Sequence, residues 1–191
     1  MKIKISLLFL AGGFFFISLY GIQSYKSNSK QSEAMATAME VVRAKENKQQ
    51  LLDKDSATSQ KGEILGILQL PSIGEELPIV KGVSDEALER GVGYYEGTAL
   101  PDKQDQIVLS GHRDTVFKRL GELQIGDEVI VEMSYGRFTY IIEETFVVEA
   151  DDRTVIRPTA PIEKLTITTC YPFNFIGNAP QRYIVNAIRK G

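Results

Sequence analysis

Three kinds of hydrophobic pattern follow one another along the chain. An uncharged, mainly apolar run of 18 residues extends from Ile5 to Ile22, just after the lysines at positions 2 and 4. From Ser24 to Gly62 the composition turns to Gln, Lys, Ser, Ala and Glu. From Glu63 onward, short apolar segments alternate with polar positions at a period of two. These changes divide the chain into residues 1–23, 24–62 and 63–191.

Residues 1–23 are expected to form a membrane anchor. About 18–20 apolar residues suffice to cross a bilayer core. A cleaved signal peptide is the alternative, but SLYGIQSYK at the end of the run places large residues where a cleavage site needs small ones. An uncleaved, single-pass anchor with its amino terminus inside is favoured. We therefore expect the protein in the cell membrane, with an extracytoplasmic C-terminal domain.

Residues 24–62 are expected to form a helical stalk or linker. The stretch from 32 to 54 is rich in good helix formers and contains neither proline nor glycine. A coiled-coil partner site is the alternative, but no heptad of apolar residues persists for three repeats. The pattern favours a solvated helix with frayed ends.

Residues 63–191 are expected to form one mainly β domain. The pattern predicts strands at 64–70, 106–110, 128–134, 137–144, 145–151, 164–169 and 182–190. Two short helices are predicted at 84–91, with Ser84 as N-cap, and at 114–123, with Asp114 or Thr115 as N-cap. The glycine-containing stretch 91–97 is interpreted as a tight turn. Short strands at close spacing with Gly and Pro turns predict a closed or nearly closed β-barrel.

Composition and charge exclude several kinds of chemistry. The chain has one cysteine and one histidine, so a disulfide within the chain and zinc sites built from several Cys and His residues are excluded. Residues 63–191 have a net charge of −7, which argues against nucleic acid as a partner. No acidic cluster has the spacing of an EF-hand loop. Neither a metal site nor a cofactor is expected.

Cys170, His112 and Arg182 are the candidate functional residues. In the strand ending at Cys170, Leu165 and Ile167 point to one face, so Cys170 lies on the opposite, more polar face. If the strands on either side of the loop pair antiparallel, Arg182 becomes the cross-strand neighbour of Cys170. His112 follows a strand at a loop, where catalytic groups are common. Spacing alone also allows an ordinary strand arginine and a histidine bonded to local backbone.

Three segments together resemble a known family. Residues 166–170, TITTC, resemble the TLxTC signature of sortases, and Arg182 lies twelve residues later, where that family has its arginine. His112 lies in LSGHRDTVF, which is similar to the family's histidine segment. The runs 168–185 and 91–101 look most like class D sortases of Gram-positive bacteria. Tyr94 is a departure, since many relatives have a second histidine there.

The resemblance implies an eight-stranded barrel with short helices, preceded by a transmembrane helix and a helical stalk. It also implies a cysteine transpeptidase acting on secreted proteins with an LPxTG-like sorting signal. Cys170 is expected to be the nucleophile, Arg182 the oxyanion donor, and His112 the general acid and base. Thr169, with Val155 and Ile156 in the segment 151–164, is expected to contact the substrate. The acceptor is expected to be an amine of a peptidoglycan precursor or of another protein.

Two alternatives remain open at this point. A hydrolytic or pilin-polymerising relative would use the same three residues and differ only in its products. A barrel that binds the sorting peptide without catalysis is a possibility of a different class.

Overall fold

The domain after residue 62 is a closed barrel of eight strands. The computed structural model describes residues 2–43, 62–175 and 177–191. The strands are β1 (Ile64–Leu70), β2 (Glu75–Lys81), β3 (Val92–Tyr94), β4 (Gln106–Gly111), β5 (Glu128–Met133), β6 (Gly136–Glu149), β7 (Lys164–Tyr171) and β8 (Gln181–Arg189). Their order is β1-β2-β3-β4-β7-β8-β6-β5, and β5 pairs with β1 to close the barrel. The predicted mainly β, closed-barrel fold is confirmed.

Two of the strand pairs are parallel, and one of them positions the site. β2 pairs with β3 in parallel, and β4 pairs with β7 in parallel. Parallel neighbours end at the same edge of a sheet. The residues that follow β4 therefore lie beside the residues at the end of β7.

The barrel interior is filled by the apolar positions of alternating strands. Leu165 and Ile167 of β7 are fully buried there, together with Leu109 of β4, Val131 of β5 and Val185 of β8. Burial of each such side chain stabilises the fold by about 1.5–3 kcal/mol. A slip of β7 by one residue would move Leu165 and Ile167 out of this core, so the burial fixes which face Cys170 occupies.

One of the two predicted short helices is present. The helix α2 (Asp85–Arg90) begins after Ser84, whose Oγ accepts a hydrogen bond of 3.3 Å from the backbone N–H of Ala87. This confirms the predicted N-cap.

The helix predicted at 114–123 is wrong. Residues 113–119 form turns, and a 3-10 turn follows at Leu120–Glu122. The backbone N–H of Phe117 bonds to the carbonyl of His112 at 3.0 Å, and the Phe117 and Leu120 side chains are buried in the barrel core. A ten-residue segment containing Gly121 is a marginal helix on its own, so packing of these side chains decides its conformation.

Three strand predictions also differ from the structure. Residues 137–149 belong to one long strand, β6, whose pairing with β8 shifts register between Ile142 and Glu144. The expected turn at 91–97 includes the short strand β3. The strand β2 went unpredicted because its sequence contains a proline and charged residues, which are depleted in strands.

A long N-terminal helix packs against the outside of the barrel. The helix α1 (Lys2–Arg43) is continuous, so the domain boundary expected at residue 23 falls inside it, and residues 44–61 of the expected stalk lie outside the described residues. Ala34 and Ala38 are buried against Ile64, Ile67 and Val80. Alanines four residues apart share one face of a helix and allow close approach. This packing differs from the solvated helix expected from the sequence.

Among the residues that the structure describes, no helix is both long enough and apolar enough to cross a membrane.

Candidate active site

The single thiol lies at the accessible end of β7. Cys170 is the second-last residue of the strand and is half-buried. Its neighbours two and four residues back, Thr168 and Thr166, share its face, whereas Leu165 and Ile167 point into the core. The face predicted for Cys170 from strand alternation is confirmed.

Arg182 lies directly across from Cys170. The antiparallel register of β7 and β8 pairs Cys170 with Arg182, and directly opposed residues have Cβ atoms about 5 Å apart on one face. Nη1 of Arg182 donates to the carbonyls of Gln181 at 2.9 Å and Ala179 at 3.3 Å. Nε and Nη2 have no hydrogen-bond partner within the described part of the chain. These two groups are therefore available to a ligand.

His112 follows β4 at the same edge of the sheet. The parallel register pairs Gly111, the last residue of β4, with Thr169, so His112 and Cys170 are the residues that directly follow this pair. Adjacent strands are about 5 Å apart. His112 directly after β4, Cys170 on β7 and Arg182 on β8 thus form one row at the same end of three neighbouring strands.

Thr169 holds the first two of these strands together. Its side chain is only 2% exposed, and its Oγ1 donates to the carbonyl of Gly111 at 2.7 Å. Thr169 was expected to contact the substrate, and in this structure its side chain is buried between the strands. This hydrogen bond holds the segment before His112 against β7, at the residue that directly precedes Cys170.

Arg113 ties the histidine segment to the loop after Cys170. This residue is 9% exposed, and its Nη2 donates to the carbonyls of Phe175 at 2.6 Å and Gly177 at 3.0 Å. Its Nε lies 3.3 Å from the carboxylate of Asp114, which is otherwise exposed. Sequence reasoning missed Arg113, because nothing in the pattern HRD shows that this arginine is buried.

Aromatic packing supports the same loop. The rings of Tyr171, Phe173 and Tyr183 pack on one another with centroids 5.3–6.0 Å apart. Phe173 also lies against Gly121, where a Cβ atom would come within 2.6 Å of its ring. The loop between β7 and β8 is therefore packed on the segment that follows His112.

Helix α1 is joined to α2 by an ion pair between Lys30 and Glu89, and Glu89 also interacts electrostatically with His112. Nζ of Lys30 on α1 donates to Glu89 on α2. The pKa of the Glu89 carboxyl is lowered, first by this hydrogen bond and the charge of Lys30, and to a smaller extent by the charge of His112.

Tyr94 occupies the position where many relatives of the resembled family have a second histidine. It is buried in the core, and its hydroxyl donates to the carbonyl of Thr98. Burial raises the pKa of this phenol above its ordinary value. In this chain Tyr94 has a structural role and does not titrate near neutral pH.

The remaining expected substrate contacts, Val155 and Ile156, lie in the loop between β6 and β7 (residues 150–163), hereafter the β6–β7 loop. Both are half-buried. The backbone carbonyl of Val155 accepts a hydrogen bond from Gln106 at the start of β4. Within the described residues, no three His, Cys, Asp or Glu side chains lie together in a way that could hold a metal ion.

The chain is similar to known proteins over most of its length. Residues 68–190 match the family described as Sortase domain. Sortase D of Bacillus subtilis (strain 168) is 42% identical over 192 residues, covering 97% of this chain and 97% of that protein. The structure of a Clostridium perfringens Sortase D5 transpeptidase is 27% identical, with a TM-score of 0.73, covering 85% of this chain and 99% of that one. A Clostridium perfringens sortase C, solved with the C-terminal cell wall sorting motif, is 26% identical, with a TM-score of 0.65 and coverage of 92% and 99%.

Proposed function

This chain belongs to the sortase family of cysteine transpeptidases, and on that premise we propose that it cleaves an LPxTG-like sorting signal after its threonine and joins the new C-terminus to an amine. The observation that carries the proposal is the row formed by His112, Cys170 and Arg182 at one sheet edge. A thiol, an imidazole and a guanidinium side by side form a set suited to acyl transfer.

In the first half-reaction, the Cys170 thiolate attacks the carbonyl carbon of the threonine. A C–S bond forms, and the carbonyl oxygen acquires negative charge, which Nε and Nη2 of Arg182 stabilise by hydrogen bonding. The C–N bond then breaks, and His112 gives a proton to the leaving amine. The product is a thioester between Cys170 and the substrate.

In the second half-reaction, an incoming amine attacks the thioester carbonyl. His112 takes a proton from this amine, the C–S bond breaks, and the thiolate of Cys170 is regenerated. We propose an amine of a peptidoglycan precursor as the acceptor. Support for a sorting-signal substrate comes from the similar Clostridium perfringens sortase C, which was solved with such a motif.

We propose further that the protein acts at the cell membrane with its barrel on the extracytoplasmic side. The basis is the sequence alone, in which the uncharged, mainly apolar run from Ile5 to Ile22 has the length needed to span a bilayer. Alkaline extraction of membranes is expected to leave the full chain in the pellet and to release a form lacking residues 1–23. Recovery of the full chain in the soluble fraction would contradict this placement.

Trapping of the thioester tests the proposed chemistry. Residues 24–191 are incubated with an LPxTG-like peptide without an acceptor amine, and the adduct is measured by intact-protein mass spectrometry. The wild-type protein is expected to gain the mass of the peptide up to its threonine, and Cys170→Ala to gain none. Absence of the adduct from a folded wild-type protein refutes the proposal and favours a binding module without catalysis.

A pair of arginine variants tests the oxyanion role. Arg182→Ala is expected to lower kcat by about 10²–10³-fold, the cost typical of losing one oxyanion donor. Arg137→Ala removes an exposed strand arginine on β6 and is the matched control, with kcat expected to stay within about twofold. Equal effects of the two substitutions would contradict the assignment.

The products distinguish anchoring from the related activities. A wall-linked product identifies anchoring, an isopeptide between protein subunits identifies polymerisation, and a free threonine carboxylate as the sole product identifies hydrolysis.

A further inference from the structure

The β6–β7 loop is held by Asp105, which directly precedes β4, and by Gln106, the first residue of β4. Oδ1 of Asp105 accepts hydrogen bonds from the backbone N–H groups of Thr159 at 2.5 Å and Ala160 at 3.1 Å. Hydrogen bonds from the backbone of Thr159 and Gln106 lower the pKa of the Asp105 carboxyl. The far part of the loop is thereby fastened to the strand.

Gln106 fastens the middle of the loop. Its side-chain amide is 4% exposed, and Nε2 donates to the carbonyl of Val155 at 2.7 Å and to Oγ1 of Thr166 at 2.9 Å. Its Oε1 accepts from the backbone N–H of Arg157 at 2.8 Å. Both amide hydrogens and the oxygen are therefore engaged, and the two bonds to the loop fall on either side of Ile156. A side chain satisfied in this way positions the loop and has no donor left to bind a ligand.

A chain of polar groups, all buried except the exposed Glu144, holds Gln106 itself in place. Oγ1 of Thr166 on β7 donates to Oδ1 of Asn186 on β8 at 2.7 Å, and Nδ2 of Asn186 donates to Glu144 on β6 at 2.8 Å. These groups lie beneath the loop on the outer face of the barrel. They adjoin a cavity of about 270 Å³ whose lining includes Gln106, Val155 and Asn186. Networks of this kind are rigid when every member is paired.

The distance along β7 from Thr166, which bonds to Gln106, to Cys170 is similar to the length of a four-residue extended peptide. Thr166 and Cys170 share one face of β7 and are four residues apart, which corresponds to about 13 Å at a rise of about 3.3 Å per residue. In an extended LPxTG-like peptide with its threonine at Cys170, the leucine and the residue before it lie about 10–13 Å away. For a peptide that lies along β7 from Cys170 towards Thr166, the anchored part of the loop is therefore level with the first position of the motif.

We propose that Gln106 is a positioning residue that sets selectivity at the first position of the sorting signal, by fixing where the β6–β7 loop presents Val155 and Ile156. This inference rests on the proposed transpeptidase function. Gln106 lies too far from Cys170 to touch the reacting atoms. Its effect is on recognition of the peptide.

The variant Gln106→Leu keeps a similar volume and removes all three hydrogen bonds. Peptides with Leu, Ile, Val or Ala at the first position are compared for kcat and KM. We expect KM for the Leu peptide to rise about tenfold and the preference for Leu over Ala to fall at least about fivefold, with kcat changed by less than about twofold. The alkylation rate of Cys170, the only thiol of the chain, is expected to stay unchanged.

Gln69→Leu is the matched control. Gln69 is also a strand glutamine with side-chain hydrogen bonds, but its partners are Glu76 and Glu132 of β2 and β5. The preference of Gln69→Leu among the four peptides is expected to equal that of the wild-type protein. A purely structural role for Gln106 would lower activity towards all four peptides by the same factor. A preference within twofold of the wild type in Gln106→Leu, or an equal change in Gln69→Leu, overturns the inference.

A second variant, Asp105→Asn, tests the inference if Gln106→Leu does not fold. Asp105→Asn weakens a half-exposed anchor of the same loop and is expected to reduce the Leu preference by about threefold. Unchanged preference in Asp105→Asn then overturns the inference. Failure of the proposed function is distinguishable, because in that case the wild-type protein itself forms no thioester with any peptide of the panel.

Discussion

Removal of the hydrogen bond from Thr169 to Gly111 tests whether this bond holds β4 and β7 together beside Cys170. Thr169→Val replaces the buried hydroxyl by a methyl group of similar size. The hydrogen bond is 2.7 Å long and lies in the residue pair directly before Cys170 and His112. Its loss should therefore affect both the stability of the barrel and the relative placement of His112 and Cys170, the two side chains proposed to react.

The expected loss of stability follows from the burial of both partners. A buried neutral hydrogen bond contributes a net ~0.5–1.5 kcal/mol, and a buried acceptor left without its donor costs more. The added methyl recovers part of this by apolar burial. We expect the free energy of unfolding to fall by about 1–2 kcal/mol, and Tm by roughly 2–8 °C for a domain of this size.

The activity is expected to change through kcat more than through KM. A small displacement of His112 relative to Cys170 impairs proton transfer, and misplacement by about 1 Å can cost up to about 10²-fold. We expect kcat/KM to fall by about tenfold for the trapping peptide, with an acceptor amine added for turnover. Urea unfolding and steady-state kinetics measure the two effects.

Thr145→Val on β6 is the matched control for this prediction. Thr145 is half-buried, and its hydroxyl has no hydrogen-bond partner among the described residues. Its substitution is expected to change stability by less than about 0.5 kcal/mol and to leave kcat unchanged. The reasoning is refuted if Thr169→Val is as stable and as active as Thr145→Val.

Three further predictions follow from contacts near the barrel ends. Gly111→Ala would place a Cβ atom 2.6 Å from the Phe117 ring, so we expect the free energy of unfolding, measured in urea, to fall by about 1–3 kcal/mol. The second change Phe117→Leu should restore part of this loss. Equal losses with and without Phe117→Leu would contradict the steric cause. Tyr140→Phe removes a buried hydrogen bond of 2.7 Å to Glu163 and should cost about 1–3 kcal/mol at pH 7, whereas wild-type stability would show the bond to be unimportant. Hydrogen bonds from backbone N–H groups lower the pKa of Asp105 in the folded state, so its stabilising effect is present above the ordinary carboxyl pKa of about 3.9 and is lost as the pH falls through the lower, folded value. The stability difference between wild type and Asp105→Asn should therefore shrink between pH 6 and pH 3 in denaturant titrations, and a difference independent of pH would rule out this linkage.

Local pattern was sufficient for most of the strands and for the orientation of the thiol. Alternation over residues 165–170 assigned Leu165 and Ile167 to the core and Cys170 to the opposite face, because the period of a strand is two wherever it pairs. The short loop between β7 and β8 made an antiparallel pair with Arg182 opposite Cys170 the natural outcome. The cap at Ser84 was equally readable, since it depends on groups three residues apart.

Features that depend on residues distant in sequence could not be read in this way. The segment 114–123 has a helical composition, but burial of Phe117 and Leu120 in the barrel gives it turns instead. The role of Thr169 depends on Gly111, 58 positions earlier, which becomes its neighbour only because β4 and β7 pair in parallel. The same holds for Gln106 and Val155, which are 49 positions apart. The sequence offers one thiol and one imidazole. Only the parallel pairing of β4 with β7 brings the ends of their two segments together, because contacts between distant segments form only once the core has selected one register.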